Sequence, residues 1–275
     1  MKEKINIFIL IGIFYSITSL NDYSAWRDYP TCRLGRLQSP INFAETDSTY
    51  SNDFSFVYQN YIKLNLISSP NTNLDYAIIR KGNKNGGYIN FERGGVIKQY
   101  ELSRFEIYPL LHHIDGDEGD YELHLVHKKN LDFNTNKNQY RSIQDANMYL
   151  IVVLRYRTAC SKEKPCTSDN GLLDQIFKND VDLNEFPIFQ DKRAYLYEGS
   201  SLHIPCDENV NYYIVKDFFY TSQKLEFGFN KGDIGQANRF DRPIYKNFMN
   251  YREVMKSNYI SNHFLILFLL IFILF

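Results

Sequence analysis

The chain has 275 residues, a net charge of −1 and 44% hydrophobic residues. That is enough apolar material for one substantial core, and the near-neutral balance excludes the basic footprint that holds nucleic acid. The 22 tyrosines and 21 phenylalanines favour strands, where aromatic rings pack on a half-buried pleated surface.

In chain order, residues 1–20 read as a secretory signal peptide. Lys2 and Lys4 precede the apolar run Ile5 to Tyr15, and Ser16, Thr18 and Ser19 follow it. Residues 22–256 read as a single domain, predominantly β with short helices. Trp26 to Cys32 is irregular, and Gln38-Ser39-Pro40-Ile41-Asn42-Phe43 leads into the first strands. Short alternating runs follow at Phe54–Tyr58, Ile62–Ile67, Tyr76–Arg80 and Tyr88–Phe91, separated by turn clusters such as Ser69-Pro70-Asn71. Arg104–Tyr108 and Tyr121–His127 also alternate, with an Asp/Gly-rich turn (Asp115 to Asp120) between them that reads as solvated rather than as a calcium loop. Met148–Tyr156 is nearly all apolar and predicts a central strand buried on both faces. Leu172–Phe177 predicts a helix, Tyr212–Lys216 a late strand, and Ser222 begins another candidate helix. In residues 257–275, small and polar residues precede Phe264–Phe275, an apolar tail short of the roughly 20 residues a spanning helix needs. That order predicts a cleaved glycolipid-anchor signal, or else a short tail anchor. Together the two ends predict a secreted or cell-surface protein, tied to the membrane through its C-terminus.

Four cysteines in a secreted chain allow up to two disulfides and three connectivities. Cys160 and Cys166 flank a Lys/Pro-rich loop and can pair locally, which leaves Cys32 for Cys206. No Asn-x-Ser/Thr sequon occurs.

The two alternating strands carry the functional question. Phe105, Ile107, Leu123 and Leu125 make one apolar face, while Arg104, Glu106, Tyr108, Glu122 and His124 make the other. Such a polar face belongs to water or lines a functional cavity. His127 lies opposite His124, and the adjacent His112 and His113 point to opposite sides of an extended segment, so these read as structural.

Three motifs then carry a resemblance. Tyr29-Pro30-x-Cys32 with Gln38-Ser39-Pro40-Ile41-Asn42 resembles the opening signature of the α-class carbonic anhydrases. Glu122-Leu123-His124-Leu125-Val126-His127 is similar to their zinc-strand signature, letter for letter, and Tyr197-x-Gly199-Ser200 with Pro205-Cys206 resembles their late active-site loop. The resemblance implies a large, twisted, mostly antiparallel sheet with a conical cavity, a Cys32–Cys206 disulfide, and a place for His112 behind the metal ligands, as for Arg104 and Glu122.

The same resemblance implies a degenerate metal site. Family members that hydrate CO₂ hold zinc on three histidines, and a bound hydroxide attacks CO₂. Here the His-x-His positions hold Glu106 and Tyr108, and only His124 remains. Arg104 replaces a supporting glutamine, Leu202 a hydroxide-orienting threonine, Leu111 that threonine's partner, and Gly87 falls near the proton-shuttle histidine. The expectation is therefore a zinc-ligand-deficient surface domain, without a cofactor, that binds an extracellular protein or glycan. In it an arginine fork between carboxylates takes the place of the ion. The alternative expectation is a divergent zinc enzyme that uses Glu106, His124 and His203.

Overall fold

The computed structural model describes residues 29–59, 63–65, 77–80, 87–131, 133, 147–158, 172–177, 180–183, 193–203, 205–221 and 243–247. The signal, tail, Cys160–Cys166 and Ser222-helix expectations lie outside these residues. Among the described residues no helix is long and apolar enough to cross a membrane.

The expected sheet is present. Numbered in chain order, its strands are β2 (Thr49–Tyr50), β3 (Phe54–Gln59), β5 (Ala77–Arg80), β6 (Tyr88–Arg93), β7 (Val96–Pro109), β9 (Tyr121–Lys129), β10 (Tyr149–Arg157), β12 (Ala194–Gly199), β13 (Val210–Tyr220) and β14 (Tyr245–Lys246). They line up as β2-β14-β12-β13-β10-β9-β7-β6-β3, with β5 added to β7. Pairing is antiparallel except at β10–β13 and β14–β2. Two small ladders flank it: β1 (Asn42–Phe43) with β8 (His113–Ile114), and β4 (Lys63–Asn65) with β11 (Asp180–Asp182). The helices are short: α1 (Pro30–Leu34) and α2 (Leu172–Phe177). The expectation of irregular chain up to Cys32 is corrected at α1. Pro30 stands at its first turn, where a missing N–H costs nothing and the fixed φ already suits a helix.

A β-bulge decides how the site is presented. Along β7, Leu102 pairs with His127 while Phe105 pairs with Leu125, so β7 spends one more residue than β9 over that stretch. Without the extra residue, strict alternation would send either Tyr100 and Leu102 or Phe105 and Ile107 out of the core. With it, all four are buried in one cluster with Leu123, Leu125, Leu150, Val152 and Leu154, closed over by Leu172, Leu173 and Ile176 of α2. Each large aliphatic or aromatic side chain so buried contributes roughly 1.5–3 kcal/mol. Met148–Tyr156 behaves as expected: the interior of β10 is buried on both faces. The opposite sheet face carries a second cluster, with Val126, Ile151, Val153, Tyr197, Tyr212 and Ile214.

The acidic turn is less of a solvated loop than the sequence predicts. Asp117 receives Nη1 of the buried Arg155 at 2.5 Å and the amide of Ile114 at 2.9 Å, while Asp120 accepts from Thr158. Arg155 also donates to the carbonyls of Val215 and Lys216. A guanidinium buried without such partners would be prohibitively costly, so the turn is drawn in to meet it.

Candidate functional site

Strand register brings the polar residues together on the second face. Glu106 of β7 lies opposite His124 of β9, which lies opposite Val153 of β10. One step toward the start of β7, Arg104 lies opposite Val126, which lies opposite Ile151. One step the other way, Tyr108 lies opposite Glu122. Glu106, Tyr108, Glu122 and His124 are all buried, so this face is not given to water.

Two hydrogen-bond networks organise it. The deeper one centres on Glu122. Its Oε1 accepts the amides of Leu111 (3.1 Å) and His112 (2.6 Å), and its Oε2 accepts His112 Nδ1 and His124 Nε2, both at 2.8 Å. Burial pushes this carboxyl up, but the charge and hydrogen bonds of His112 and then His124 outweigh it and hold the group well below the usual carboxylate range. Burial lowers the His112 imidazole against the opposing pull of Glu122. On its far side His112 Nε2 lies 2.7 Å from the Tyr197 hydroxyl, which lies 3.1 Å from Ser39 Oγ. Ser39 and Ser200 then bond each other through backbone amides and hydroxyls.

The shallower network centres on Glu106. Its Oε1 accepts from Arg104 Nε (2.5 Å) and His203 Nε2 (2.9 Å), and its Oε2 accepts the Tyr108 hydroxyl (2.8 Å). His203 Nε2 also lies 3.2 Å from the Tyr108 oxygen. Burial raises the Glu106 carboxyl, yet His203, Arg104 and His124 outweigh burial and lower it to about 2. His203 reaches the site from the turn that ends at Cys206, whose amide donates to the His203 carbonyl. The expected Cys32–Cys206 disulfide, with Cα atoms 5.1 Å apart, anchors that turn to α1.

One polar atom is left over. His124 donates through Nε2 to Glu122, and its Nδ1 is shut off from solvent with no hydrogen-bond partner. In a neutral imidazole with its proton on Nε2, that Nδ1 carries the lone pair. The Tyr108 ring packs beside it, with centroids 4.8 Å apart.

Two expected arrangements are corrected. Arg104 does not bridge two carboxylates: it pairs with Glu106, while Glu122 is held by imidazoles and amides. Arg104 sits opposite Val126, four residues along β9 from Glu122, roughly 13 Å at strand rise. Nor do Glu106, His124 and His203 converge as a ligand set. Among the described residues, the group whose donor atoms lie within 4.8 Å of one another is His112, Glu122 and His124. Those contacts are hydrogen bonds gathered on one carboxylate oxygen, so the imidazole nitrogens that face it carry protons there rather than lone pairs for an ion. Of the other singled-out positions, Leu202 and Leu111 are buried. Gly87 immediately precedes β6 at φ 93°, a conformation a histidine adopts only under strain. His127 is buried on the core side with Nδ1 on the Leu125 carbonyl, and His113 bonds the Asp117 carbonyl.

The model for eukaryotic-type carbonic anhydrases matches residues 21–259. The chain belongs to that family. An alpha carbonic anhydrase 8 from Arabidopsis thaliana is 24% identical over 207 residues, which cover 72% of this chain and 47% of that protein. A carbonic anhydrase from Nostoc sp. is also 24% identical, over 66% of this chain and 64% of its own length. The chain thus matches only part of each of these relatives. Among solved structures, dioscorin complexed with ascorbate superposes with a TM-score of 0.58 at 21% identity, over 84% of this chain and 94% of that one; this likeness speaks for the fold.

Zinc is the metal that carbonic anhydrase activity implies, and the donors here do not fit a three-imidazole centre. His124 Nδ1 is one suitable nitrogen. The Glu106 carboxylate is already neutralised by protein donors, and the neutral Tyr108 phenol is a poor ligand. Sequence reasoning missed the Tyr197–Ser39–Ser200 relay behind His112; its members stood in the quoted motifs, but nothing in their spacing showed that they touch.

Proposed function

We propose that this carbonic-anhydrase-family domain does not hydrate CO₂ and serves outside the cell as a binding or scaffold domain for an extracellular protein or glycan. The observation that carries the reading is the Glu106 network. Where the family resemblance places two zinc-binding imidazoles, a carboxylate and a phenol are bound to each other and to Arg104 and His203. An internal cation and two neutralising donors stand where an ion would need free lone pairs. Leu111 and Leu202, at the positions of the groups that steer a metal-bound hydroxide, offer no polar side-chain atom. The disulfide supports an oxidising compartment, and the two apolar termini support secretion and a glycolipid anchor or tail.

The test is metal analysis of gently purified protein, combined with CO₂ hydration in the presence of added zinc. The reading expects substoichiometric zinc and a rate equal to buffer. Stoichiometric zinc with chelator-sensitive turnover would overturn it. One observation favours a second reading, a divergent zinc enzyme: the orphaned Nδ1 of His124. That reading requires Tyr108 and His203 to leave Glu106, and the same two measurements decide it.

A further inference from the structure

The ten-stranded sheet ends differently on its two sides. At one end β2 is only two residues long, Thr49–Tyr50, too short to template another strand. At the other end β3 runs for six residues, Phe54–Gln59, and pairs with β6 on one side. Among the described residues no strand pairs with its outer side. The devices that keep such an edge from pairing are charge, proline, a bulge or a very short strand. β3 has none of them: it reads Phe-Ser-Phe-Val-Tyr-Gln, and its register with β6 is unbroken. An uncharged six-residue run of aromatic and β-branched residues is a strong template for strand pairing.

The order of those residues selects the occupant. Counted outward from Val57, the neighbours are aromatic on both sides, Phe56 and Tyr58, and then uncharged and polar on both sides, Ser55 and Gln59. In an antiparallel pair related by a two-fold axis, residue i faces residue j while j faces i. An axis at Val57 therefore sets Val57 against Val57 of a second copy, Phe56 against Tyr58, and Ser55 against Gln59. Like meets like, each pair shares one sheet face, and no charge is brought against its own kind. The surface agrees with this. Val57 is 53% exposed in mid-strand, and Ile97, two strands away on the same face, is 46% exposed. On the core face Phe56 stacks on Phe91 at 4.9 Å and lies 4.1 Å from Tyr213, yet it and Tyr58 are only partly buried. Both faces of this edge thus have apolar surface left to cover.

We infer that β3 is a self-association surface, through which two copies of the chain pair their β3 strands antiparallel about a two-fold axis at Val57 and join their sheets into one. A second copy is the occupant because the symmetric order around Val57 is what self-pairing requires, whereas a foreign strand needs no such symmetry. The interface lies at the end of the sheet, and it stands whether or not the Glu106 pocket holds a metal. Six residues a side make a small interface, which places the dimer among the reversible associations that dilution undoes.

Sedimentation velocity on the full purified chain, from about 1 to about 100 μM, reads the monomer–dimer equilibrium. The native chain forms a dimer that dissociates on dilution. Val57→Lys sets two ammonium groups against each other at the axis and weakens dimerisation at least about tenfold. Val57→Cys tests the register. Directly opposed residues have Cα atoms about 4.5–5.5 Å apart, within disulfide reach, so air oxidation links two chains on a non-reducing gel. Ser55→Cys lies four residues along the strand from its counterpart, roughly 13 Å at strand rise, and does not link. A monomer throughout the range, a dimer that Val57→Lys leaves unchanged, or equal cross-linking of Ser55→Cys and Val57→Cys overturns the inference. The cysteine variants place a small residue at exposed positions, so that comparison stands even where Val57→Lys fails to fold.

Discussion

Replacing Glu122 with glutamine tests the deepest part of the site. The carboxylate accepts four hydrogen bonds, two from backbone amides at 3.1 and 2.6 Å and two from imidazole nitrogens at 2.8 Å. An amide keeps one acceptor oxygen and turns the other position into a donor. If the NH₂ faces Leu111 and His112, two backbone N–H groups lose their acceptor in a fully buried place. If it faces the rings, both imidazoles must move their protons to the far nitrogen, which puts an N–H on the His124 Nδ1 now without a partner. Either arrangement also removes the buried charge to which the site is matched. Breaking such a network costs about 3–5 kcal/mol, a large share of the ~5–15 kcal/mol that a domain has in total. Urea denaturation followed by far-UV circular dichroism measures it. A loss below about 1 kcal/mol with an unchanged denaturant slope would refute the account of Glu122 as the charged keystone of the floor.

Acid stability reports the same carboxylates. Glu106 and Glu122 both titrate below the ordinary 4.5 in the folded protein, Glu106 at about 2. A depressed folded-state value means that their stabilisation is fully present above 4.5 and is lost as pH falls toward 2. For Glu106 this amounts to roughly 3 kcal/mol by linkage. The thermal midpoint of the native chain therefore drops steeply across that window, and Glu106→Gln flattens the drop; parallel curves would contradict it. Replacing Cys32 and Cys206 together by serine opens a loop of sequence separation 174 and costs about 2–5 kcal/mol, read as a lower urea midpoint. Because the floor is closed by protein groups, EDTA leaves the thermal midpoint where it was, and a fall of several degrees would show a structural ion. Glu106→His with Tyr108→His supplies two more imidazoles near His124 Nδ1. The double variant gains zinc by mass spectrometry, with a zinc-dependent rise in midpoint, and no gain would refute the placing of Glu106 and Tyr108 at ligand positions.

Much of this was legible because it depends on period and pattern. The split between Phe105/Ile107/Leu123/Leu125 and Arg104/Glu106/Tyr108/Glu122/His124 follows from alternation alone, and burial confirms the apolar half. The helix over Leu172–Phe177 and the double-faced burial of β10 were equally plain. What stayed hidden was the length of β7 and the bulge within it. The residues from Val96 to Ser103 alternate out of phase with those from Arg104 onward, and an inserted residue reads locally as a break rather than a continuation. Side-chain pairing was hidden for another reason. Which carboxylate Arg104 reaches is set by register across β7 and β9, and no local spacing encodes that distance. The buried role of Arg155, bonded to Asp117 and to two carbonyls of β13, likewise depends on chain segments far apart in sequence.

The two networks explain how this sheet face stays satisfied with a carboxylate and a phenol at the positions where the family resemblance implies imidazoles. Imidazoles at these positions without an ion would each need another partner for the lone pair of the ligand nitrogen. Glu106 and Tyr108 avoid that by satisfying each other, with Arg104 and His203 completing the carboxylate. Among the described residues the floor then carries a single orphan, His124 Nδ1. That atom persists because the other nitrogen of the same ring is needed by Glu122, whose second oxygen orders the chain at Leu111 and His112. Removing His124 would therefore disturb backbone that lies well behind the pocket. Its retention beside substituted neighbours is thus accounted for by a scaffold role through Nε2, independently of anything bound at Nδ1.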